Sequence, residues 1–75
     1  MVKVIIYNKI EEKVLEYQNR TGATKSWLAK NLDMSPQNLY QIFRSNNITI
    51  ETLIKFSIVL GCDITDLYNY EIELI

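Results

Sequence analysis

The stretch Thr24–Arg44, TKSWLAKNLDMSPQNLYQIFR, contains two short helical patterns separated by a three-residue break. In the first pattern Leu28 and Leu32 lie four residues apart, and in the second Leu39 and Ile42 lie three apart. These spacings place apolar side chains on one face of each helix, so we expect both helices to share a core. The opposite face of the second helix carries polar side chains at helical spacing: Gln37, Asn38, Gln41 and Arg44. The stretch therefore predicts a helix with a buried face and a hydrogen-bonding face.

The boundaries of these helices are predicted by residues with strong positional preferences. Thr24 is typical of an N-cap, and Ser35 followed by Pro36 is typical of a capped helix whose first residue lacks an N–H group. Trp27 allows two interpretations, an indole that packs on the core and an exposed aromatic ring, and packing at the core or its edge is the commoner one.

The apolar and capping residues of these two helices belong to a longer ordered pattern that continues towards the C-terminus. Leu28-Ala29, Leu32-Asp33-Met34-Ser35, Leu39 and Ile42 are followed by Thr49-Ile50-Glu51-Thr52-Leu53 and by Leu60–Leu67. This set resembles the phage-repressor and Cro-like (Xre-type) helix-turn-helix DNA-binding domains over about two-thirds of the chain. The resemblance implies a mainly α, compact five-helix domain spanning residues 1–75, with the helix-turn-helix at about residues 24–44.

Two positions depart from the family pattern. Asp33 stands where the family usually has glycine in the turn, at a position that needs a positive φ, which aspartate tolerates better than most residues. Ser45 also replaces a usual glycine, so we expect Asn46 or Asn47 to take the left-handed conformation instead.

The resemblance also implies roles for individual side chains. The second helix of the motif is expected to enter the major groove, where its amide side chains meet base edges; the base-reading candidates are Gln37, Asn38 and Gln41. The remaining candidates are expected to hold the sugar-phosphate backbone: Lys25, Ser26, Ser35, Tyr40, Arg44, Ser45, Asn46 and Asn47. The alternative from the residues alone is that these groups form an ordinary solvated helix face.

The two ends of the chain have the alternation of β-strands. Val2–Tyr7 is rich in β-branched residues, and Tyr70, Ile72 and Leu74 alternate with glutamates. We expect the two strands to form an antiparallel ribbon, either as a clasp within one chain or with a free edge that pairs with a second subunit.

Three more helices are predicted around the central pair. The first starts where Asn8 caps its first turn and Glu11 reaches back, and it ends near Gly22. Thr49 caps the fourth, Gly61 ends it, and Asp63 caps a short fifth. Their predicted core side chains are Ile10, Val14, Leu15, Tyr17, Leu53, Ile54, Phe56, Leu60, Ile64, Leu67 and Tyr68.

Charge is divided unevenly along the 75 residues, although the net charge is only −1. Residues 1–45 contain seven basic and four acidic side chains, whereas residues 46–75 contain one basic and five acidic ones. A modest positive field on one face is therefore expected, and DNA affinity should depend on well-placed contacts more than on bulk charge.

Composition excludes several classes of function. With no histidine and one cysteine, Cys62, the chain lacks the ligands for a zinc site and forms no internal disulfide. We expect Cys62 to be a small buried apolar residue. No nucleophile–base pair or glycine-rich phosphate loop predicts an enzyme, and no cofactor or small-molecule ligand is indicated. No membrane span or signal peptide is predicted, so we expect the cytoplasm.

The function implied by the resemblance is sequence-specific transcriptional regulation. Family habit favours a repressor of bacterial or phage origin that binds double-stranded operator DNA as a homodimer, for which the terminal strands are one candidate contact. The acidic net charge and the two strands favour an alternative, a protein-interaction module such as an antirepressor, antitoxin or assembly factor. Retention on a random-DNA or heparin column separates the two hypotheses.

Overall fold

The computed structural model describes residues 1–75 and shows a mainly helical chain with one two-stranded ribbon. None of its helices has the length and apolar character needed to cross a membrane. In chain order the elements are β1 (Val2–Asn8), α1 (Ile10–Thr21), α2 (Lys25–Asn31), α3 (Pro36–Phe43), α4 (Ile50–Leu60), a 3-10 turn (Ile64–Asp66) and β2 (Tyr68–Leu74).

The helix ends lie where their capping residues predict them. The hydroxyls of Thr24, Ser35 and Thr49 each accept a hydrogen bond from the backbone N–H three residues later, at 3.1–3.2 Å. Gly22 and Gly61 take the left-handed conformation after α1 and α4, which a residue with a Cβ adopts at a cost. These local signals mark the starts of α2, α3 and α4 and the ends of α1 and α4.

The start of α1 differs in part from its prediction. Asn8 Oδ1 accepts from the Ile10 N–H at 2.9 Å, as expected of a residue that caps the first turn. The cap position itself is occupied by Lys9, and the Glu11 side chain makes no bond back to the backbone. The amide of Asn8 donates elsewhere, to the end of α3, and this contact decides its orientation.

One apolar core joins the helices, and all of its fully enclosed side chains are hydrophobic. The buried members are Ile10, Val14, Leu28, Ala29, Leu32, Leu39, Phe43, Leu53, Phe56, Leu60 and Leu67. Leu15 and Ile54 were predicted to join them, but both lie on the surface. Each sits one position away from a buried residue on its helix, and a 100° rotation per residue turns it to solvent.

The fifth helix of the sequence-based prediction is absent. Its place is taken by a single 3-10 turn, in which Asp66 accepts from the Asp63 N–H at 3.1 Å. The helix cannot continue because Tyr68 already pairs with Asn8 in the ribbon, and the Leu67 carbonyl accepts from the Lys9 N–H. The domain therefore has four α-helices, and Leu67 alone enters the buried core from this segment.

The predicted ribbon is present and forms within one chain. β1 and β2 are antiparallel, with Val2 opposite Leu74, Val4 opposite Ile72 and Ile6 opposite Tyr70. The ribbon brings both ends of the described chain together and stands on the helices at Asn8 and Tyr68. Its outer edges remain available for a further strand.

Asp33 has φ +56°, and it is the one non-glycine residue of the chain in the left-handed region. The positive φ predicted for this turn is therefore confirmed. We expect Asp33→Gly to raise the free energy of unfolding by about 0.5 kcal/mol, because relief of the Cβ clash exceeds the added entropy of the unfolded chain.

A urea titration measures this change, and Asp33→Ala is the matched contrast because it keeps the Cβ but loses the carboxylate. We expect the alanine variant to be less stable than the glycine variant by about 1 kcal/mol. A lower urea midpoint for Asp33→Gly than for the parent chain would contradict the argument from backbone strain.

Candidate nucleic-acid interface

The outward face of α3 carries four polar side chains with no partner in the chain. Gln37, Asn38, Gln41 and Arg44 are exposed, and none of their side chains makes a hydrogen bond or an ion pair with another residue. Gln37 and Gln41 are one helical turn apart, about 6 Å along the axis. The hydrogen-bond donors and acceptors on this face are therefore free to bind another molecule. A hydrogen-bonding face on this helix was predicted from the sequence.

The inward face of α3 fixes the orientation of this row. Leu39 is fully buried and Phe43 nearly so, while Ile42 packs against the edge of the core. Ser35 caps the helix and Pro36 is in its first turn, so α3 begins at one defined residue. Packing on one side and capping at the start together fix the position of the α3 backbone, and with it the direction in which the outward side chains leave the helix.

The first turn of α2 lies against α3 through one lysine. Lys25 Nζ donates to the Tyr40 hydroxyl at 2.8 Å and sits 4.6 Å from the centre of the Tyr40 ring. This contact joins two predicted backbone-binding residues from different helices, and two of the three ammonium protons remain unused. Ser26 is exposed in the same turn, next to backbone N–H groups that the helix itself does not use.

The loop after α3 departs from its prediction. Neither Asn46 nor Asn47 has a positive φ, so the left-handed turn expected in place of a glycine does not occur. Instead the Ser45 hydroxyl accepts from the Asn47 N–H at 3.1 Å, and this local turn reverses the chain without strain. Asn46 and Asn47 are exposed beside the end of α3, as candidates for phosphate contacts must be.

Asn8 ties this loop to the rest of the molecule. Its Nδ2 donates to the carbonyls of Ile42 at 2.7 Å and Ser45 at 2.9 Å, with a longer contact to Phe43 at 3.4 Å. The last carbonyls of a helix lack intrahelical partners, and here they receive one from a strand more than thirty residues away in sequence. This role was not predicted from the sequence, because the position of Asn8 before α1 already accounts for an asparagine as a local capping residue.

Trp27 is 44% exposed and is not among the side chains that pack directly against the core. Its indole stacks on the Tyr17 ring, with centroids 6.3 Å apart and planes inclined by 17°, and Arg20 covers the same ring at 5.5 Å. The indole therefore contacts the core only through Tyr17 and is otherwise an exposed aromatic ring, so the commoner interpretation, direct packing at the core or its edge, is wrong. The stack joins α1 to α2 and leaves the indole edge open to solvent.

Lys55 is a residue of this surface that sequence analysis placed with the acidic half of the chain. It lines a shallow hollow beside α3 together with Asp33, Asn38 and Gln41. Its ammonium lies 3.7 Å from Glu51 on the same helix. The sequence spacing of four predicts the surface pair with Glu51. It does not predict that Lys55 lies beside the amides of α3, which only the fold shows.

Cys62 is the one free thiol of the chain. Cys62 is half-buried against the core, where burial and the nearby Asp66 carboxylate raise the pKa of its thiol above the usual value. The raised pKa disfavours the reactive thiolate, and Cys62 packs against the core but is only partly buried, where full burial was expected. No group of three or more histidine, cysteine, aspartate or glutamate side chains is placed to bind a metal ion.

Comparison with known proteins gives one match to the chain. A family model described as helix-turn-helix matches residues 20–67, which span α2, the turn, α3, α4 and the 3-10 turn. No curated protein and no solved structure matches the chain. The matched segment contains every predicted DNA-contacting residue and excludes both strands of the ribbon.

Proposed function

The chain belongs to the Xre/Cro-like helix-turn-helix family of DNA-binding regulatory domains, and from this membership we propose that it is a sequence-specific repressor of transcription. It acts in the cytoplasm by occupying an operator, with α3 in the major groove. One observation carries the proposal: the amide side chains of α3 face solvent without partners, on a helix whose start and orientation are fixed.

The chemistry of the α3 face suits bases more than phosphates. Asparagine and glutamine pair bidentately with adenine in the major groove through one donor and one acceptor. Gln37 and Gln41 lie one turn apart, so they reach neighbouring base pairs, and Asn38 flanks them. Arg44 at the far end of the helix binds the backbone, since it lies just beyond the last helical turn.

Phosphate contacts come from groups around α3. The first turn of α2 offers unpaired backbone N–H groups, the Ser26 hydroxyl and the Lys25 ammonium, which Tyr40 positions. On the other side, the Ser45–Asn47 loop offers the side-chain amides of Asn46 and Asn47 and the backbone N–H of Asn46, because the N–H groups of Ser45 and Asn47 already donate within the chain. The Ser35 hydroxyl already accepts the Asn38 N–H, so it contributes to phosphate binding only through its remaining proton.

One copy contacts only a few base pairs, so we propose a homodimer on a palindromic operator with half-sites about one helical turn apart. Lys25 and Arg44 give two cationic backbone contacts per copy and four per dimer. The logarithm of the binding constant should then fall against the logarithm of salt with a slope of roughly −3 to −4. This is shallow for a repressor and agrees with the net charge of −1.

Selection of bound sequences from a random duplex library tests the proposal. The expected result is a palindromic consensus with adenine at positions facing the amides. The protein should also be retained on a random-DNA column at low salt. A protein that flows through that column and enriches no sequence is a partner-binding module, and the repressor proposal is then wrong.

Lys25→Ala should weaken binding to operator and random DNA by the same factor. The lysine meets phosphate, which is identical in every sequence, so its loss should make the salt slope shallower by about one unit for each copy bound. Fluorescence anisotropy titrations at four or more salt concentrations measure the slope on both duplexes.

Lys13→Ala is the control for this experiment. Lys13 lies on α1, pairs with Glu16 at 3.4 Å, and lies beside Cys62 away from α3. Its loss removes the same charge without removing a phosphate contact, so the slope should stay at the value of the parent chain. Equal slopes for Lys25→Ala and the parent chain remove Lys25 from the backbone-binding set.

A further inference from the structure

One face of the ribbon is apolar and largely uncovered. Val2, Val4 and Ile6 share this face with Tyr70, Ile72 and Leu74, whereas the charged side chains Lys3, Glu71 and Glu73 lie on the other. Exposure rises from 40% at Ile6, near the helices, to 80% at Leu74. The helices of the same chain therefore cover only the base of this face, and the outer part lacks a partner.

The hydrogen-bond pattern of the ribbon shows which backbone groups are open. Met1 and Ile75 exchange two hydrogen bonds, at 2.6 and 2.8 Å, and the Lys9 N–H donates to the Leu67 carbonyl at the other end. In an antiparallel pair such bonded residues alternate with unbonded ones. Odd-numbered residues of β1 thus bond to β2, and the N–H and C=O groups of Val2, Val4 and Ile6 point to the free edge.

We propose that a second copy of this chain pairs with the free edge of β1, antiparallel and centred on Ile5, to form a four-stranded sheet. In this register Val4 lies opposite Ile6 of the other copy, and both present open N–H and C=O groups. Ile5 meets Ile5 at the two-fold axis in a pair without backbone bonds. The inference specifies the contact surface of the homodimer proposed above, and it does not depend on DNA binding.

Like charges disfavour the two most central registers of β2, whereas none opposes the pairing of β1. Pairing of β1 about Ile5 places Lys3 opposite Tyr7, so no two like charges meet. Pairing of β2 about Glu71 sets that carboxylate against its own copy, and pairing about Ile72 sets Glu71 against Glu73. Like charges directly opposite one another destabilise a strand pair, and β1 has only one charged residue.

The same geometry covers apolar surface on the helices. A two-fold axis perpendicular to the sheet keeps both apolar faces on one side, and antiparallel strands place the outer end of each ribbon beside the base of the other. At that base Ile50 is 67% exposed, in an apolar hollow lined by Ile6, Ile48, Leu53 and Tyr68. A specific dimer needs about 800 Å² per partner, more than one strand edge provides, so the side chains at this hollow complete the contact.

Disulfide trapping tests the register directly. In a Cys62→Ala background, Ile5→Cys should form an intermolecular disulfide under mild oxidation, because opposite residues of an unbonded pair have Cα atoms about 4.5 Å apart. Glu71→Cys in the same background is the matched control at the centre of β2 and should stay monomeric on a non-reducing gel. Cross-linking of Glu71→Cys without that of Ile5→Cys would overturn the proposal in favour of the other edge.

Sedimentation equilibrium of the full chain tests the interface without a new thiol. Val4→Pro removes an N–H that the ribbon does not use, and edge strands tolerate proline at such positions. We expect it to raise the dimer dissociation constant by roughly 100-fold, through loss of two symmetric bonds and steric exclusion, with the helical circular dichroism unchanged. A parent chain that is monomeric at several hundred micromolar, or a variant that dimerises equally well, overturns the inference.

DNA binding separates this inference from the proposed function. If both are correct, Val4→Pro binds a single half-site with the base preference of the parent chain but loses cooperative binding to the palindrome. If the chain dimerises through β1 and binds no DNA sequence, the proposed function is wrong and the interface stands.

Discussion

Gln37→Ala and Gln41→Ala should each weaken binding to the selected operator by about 1–3 kcal/mol, or roughly 5- to 150-fold, and barely change binding to a scrambled duplex. Each substitution removes a bidentate pair to a base edge and touches no phosphate. The side chains are exposed and have no partners in the chain, so truncation leaves no buried group unsatisfied. Paired anisotropy titrations on the two duplexes at one salt concentration measure the difference.

Asn19→Ala is the matched amide control, since Asn19 is exposed on α1 and lies outside the interface. Alanine is the best helix former, so all three variants should melt at or above the temperature of the parent chain. If the α3 variants lose equal affinity for both duplexes, these glutamines do not read bases. If they lose none, the solvated-face interpretation is correct for α3.

The features of the interface that follow from local chemistry were predictable from the sequence. Ser35 and Pro36 fix the start of α3 through one hydroxyl and one missing N–H, and both effects operate within four residues. Asp33 takes its positive φ because the tight turn between α2 and α3 requires one there. Helical periodicity then determines which side chains face the core and which face solvent.

The features that depend on distant contacts were not predictable. A fifth helix was expected because Asp63 caps well, but pairing of Tyr68 with Asn8 limits that segment to one turn. The prediction of a left-handed turn at Asn46 or Asn47 was also wrong, because the Ser45 hydroxyl accepts from the Asn47 N–H in a loop whose Ser45 carbonyl is bound by Asn8 of β1. In both cases a contact with β1 overrides the local preference of a segment that is distant in sequence. The sequence of that segment does not show that β1 will make this contact.

Asn8→Asp should be the most destabilising polar substitution in this chain, by about 2–4 kcal/mol at pH 7. The variant is isosteric and keeps the oxygen that accepts from the Ile10 N–H. In place of the amide donor it sets a carboxylate oxygen against the carbonyls of Ile42 and Ser45, so two bonds become two repulsions. Asn69→Asp is the control for charge alone, because the Asn69 side chain serves only as an acceptor, from the Tyr70 N–H.

The penalty of Asn8→Asp should depend on pH in a direction that identifies its cause. A protonated carboxyl again donates to the two carbonyls, so the folded state favours the protonated form and raises the pKa of this group above its unfolded value of about 3.9. The stability recovered by protonation is complete below the unfolded pKa and is lost as the pH rises through the folded pKa. Urea melts at pH 4 and pH 7 should therefore show a smaller penalty at pH 4.

Asn8→Ala has no titrating group at this position, so its own penalty should be the same at both pH values. If the penalties of the aspartate and alanine variants do not diverge with pH, the amide is not the donor that holds the end of α3.

Asn8→Asp should also weaken operator binding, even at temperatures where the variant remains folded. The reason is that the substitution releases the Ser45–Asn47 loop from β1. Unchanged affinity in the folded variant would confine the role of Asn8 to stability.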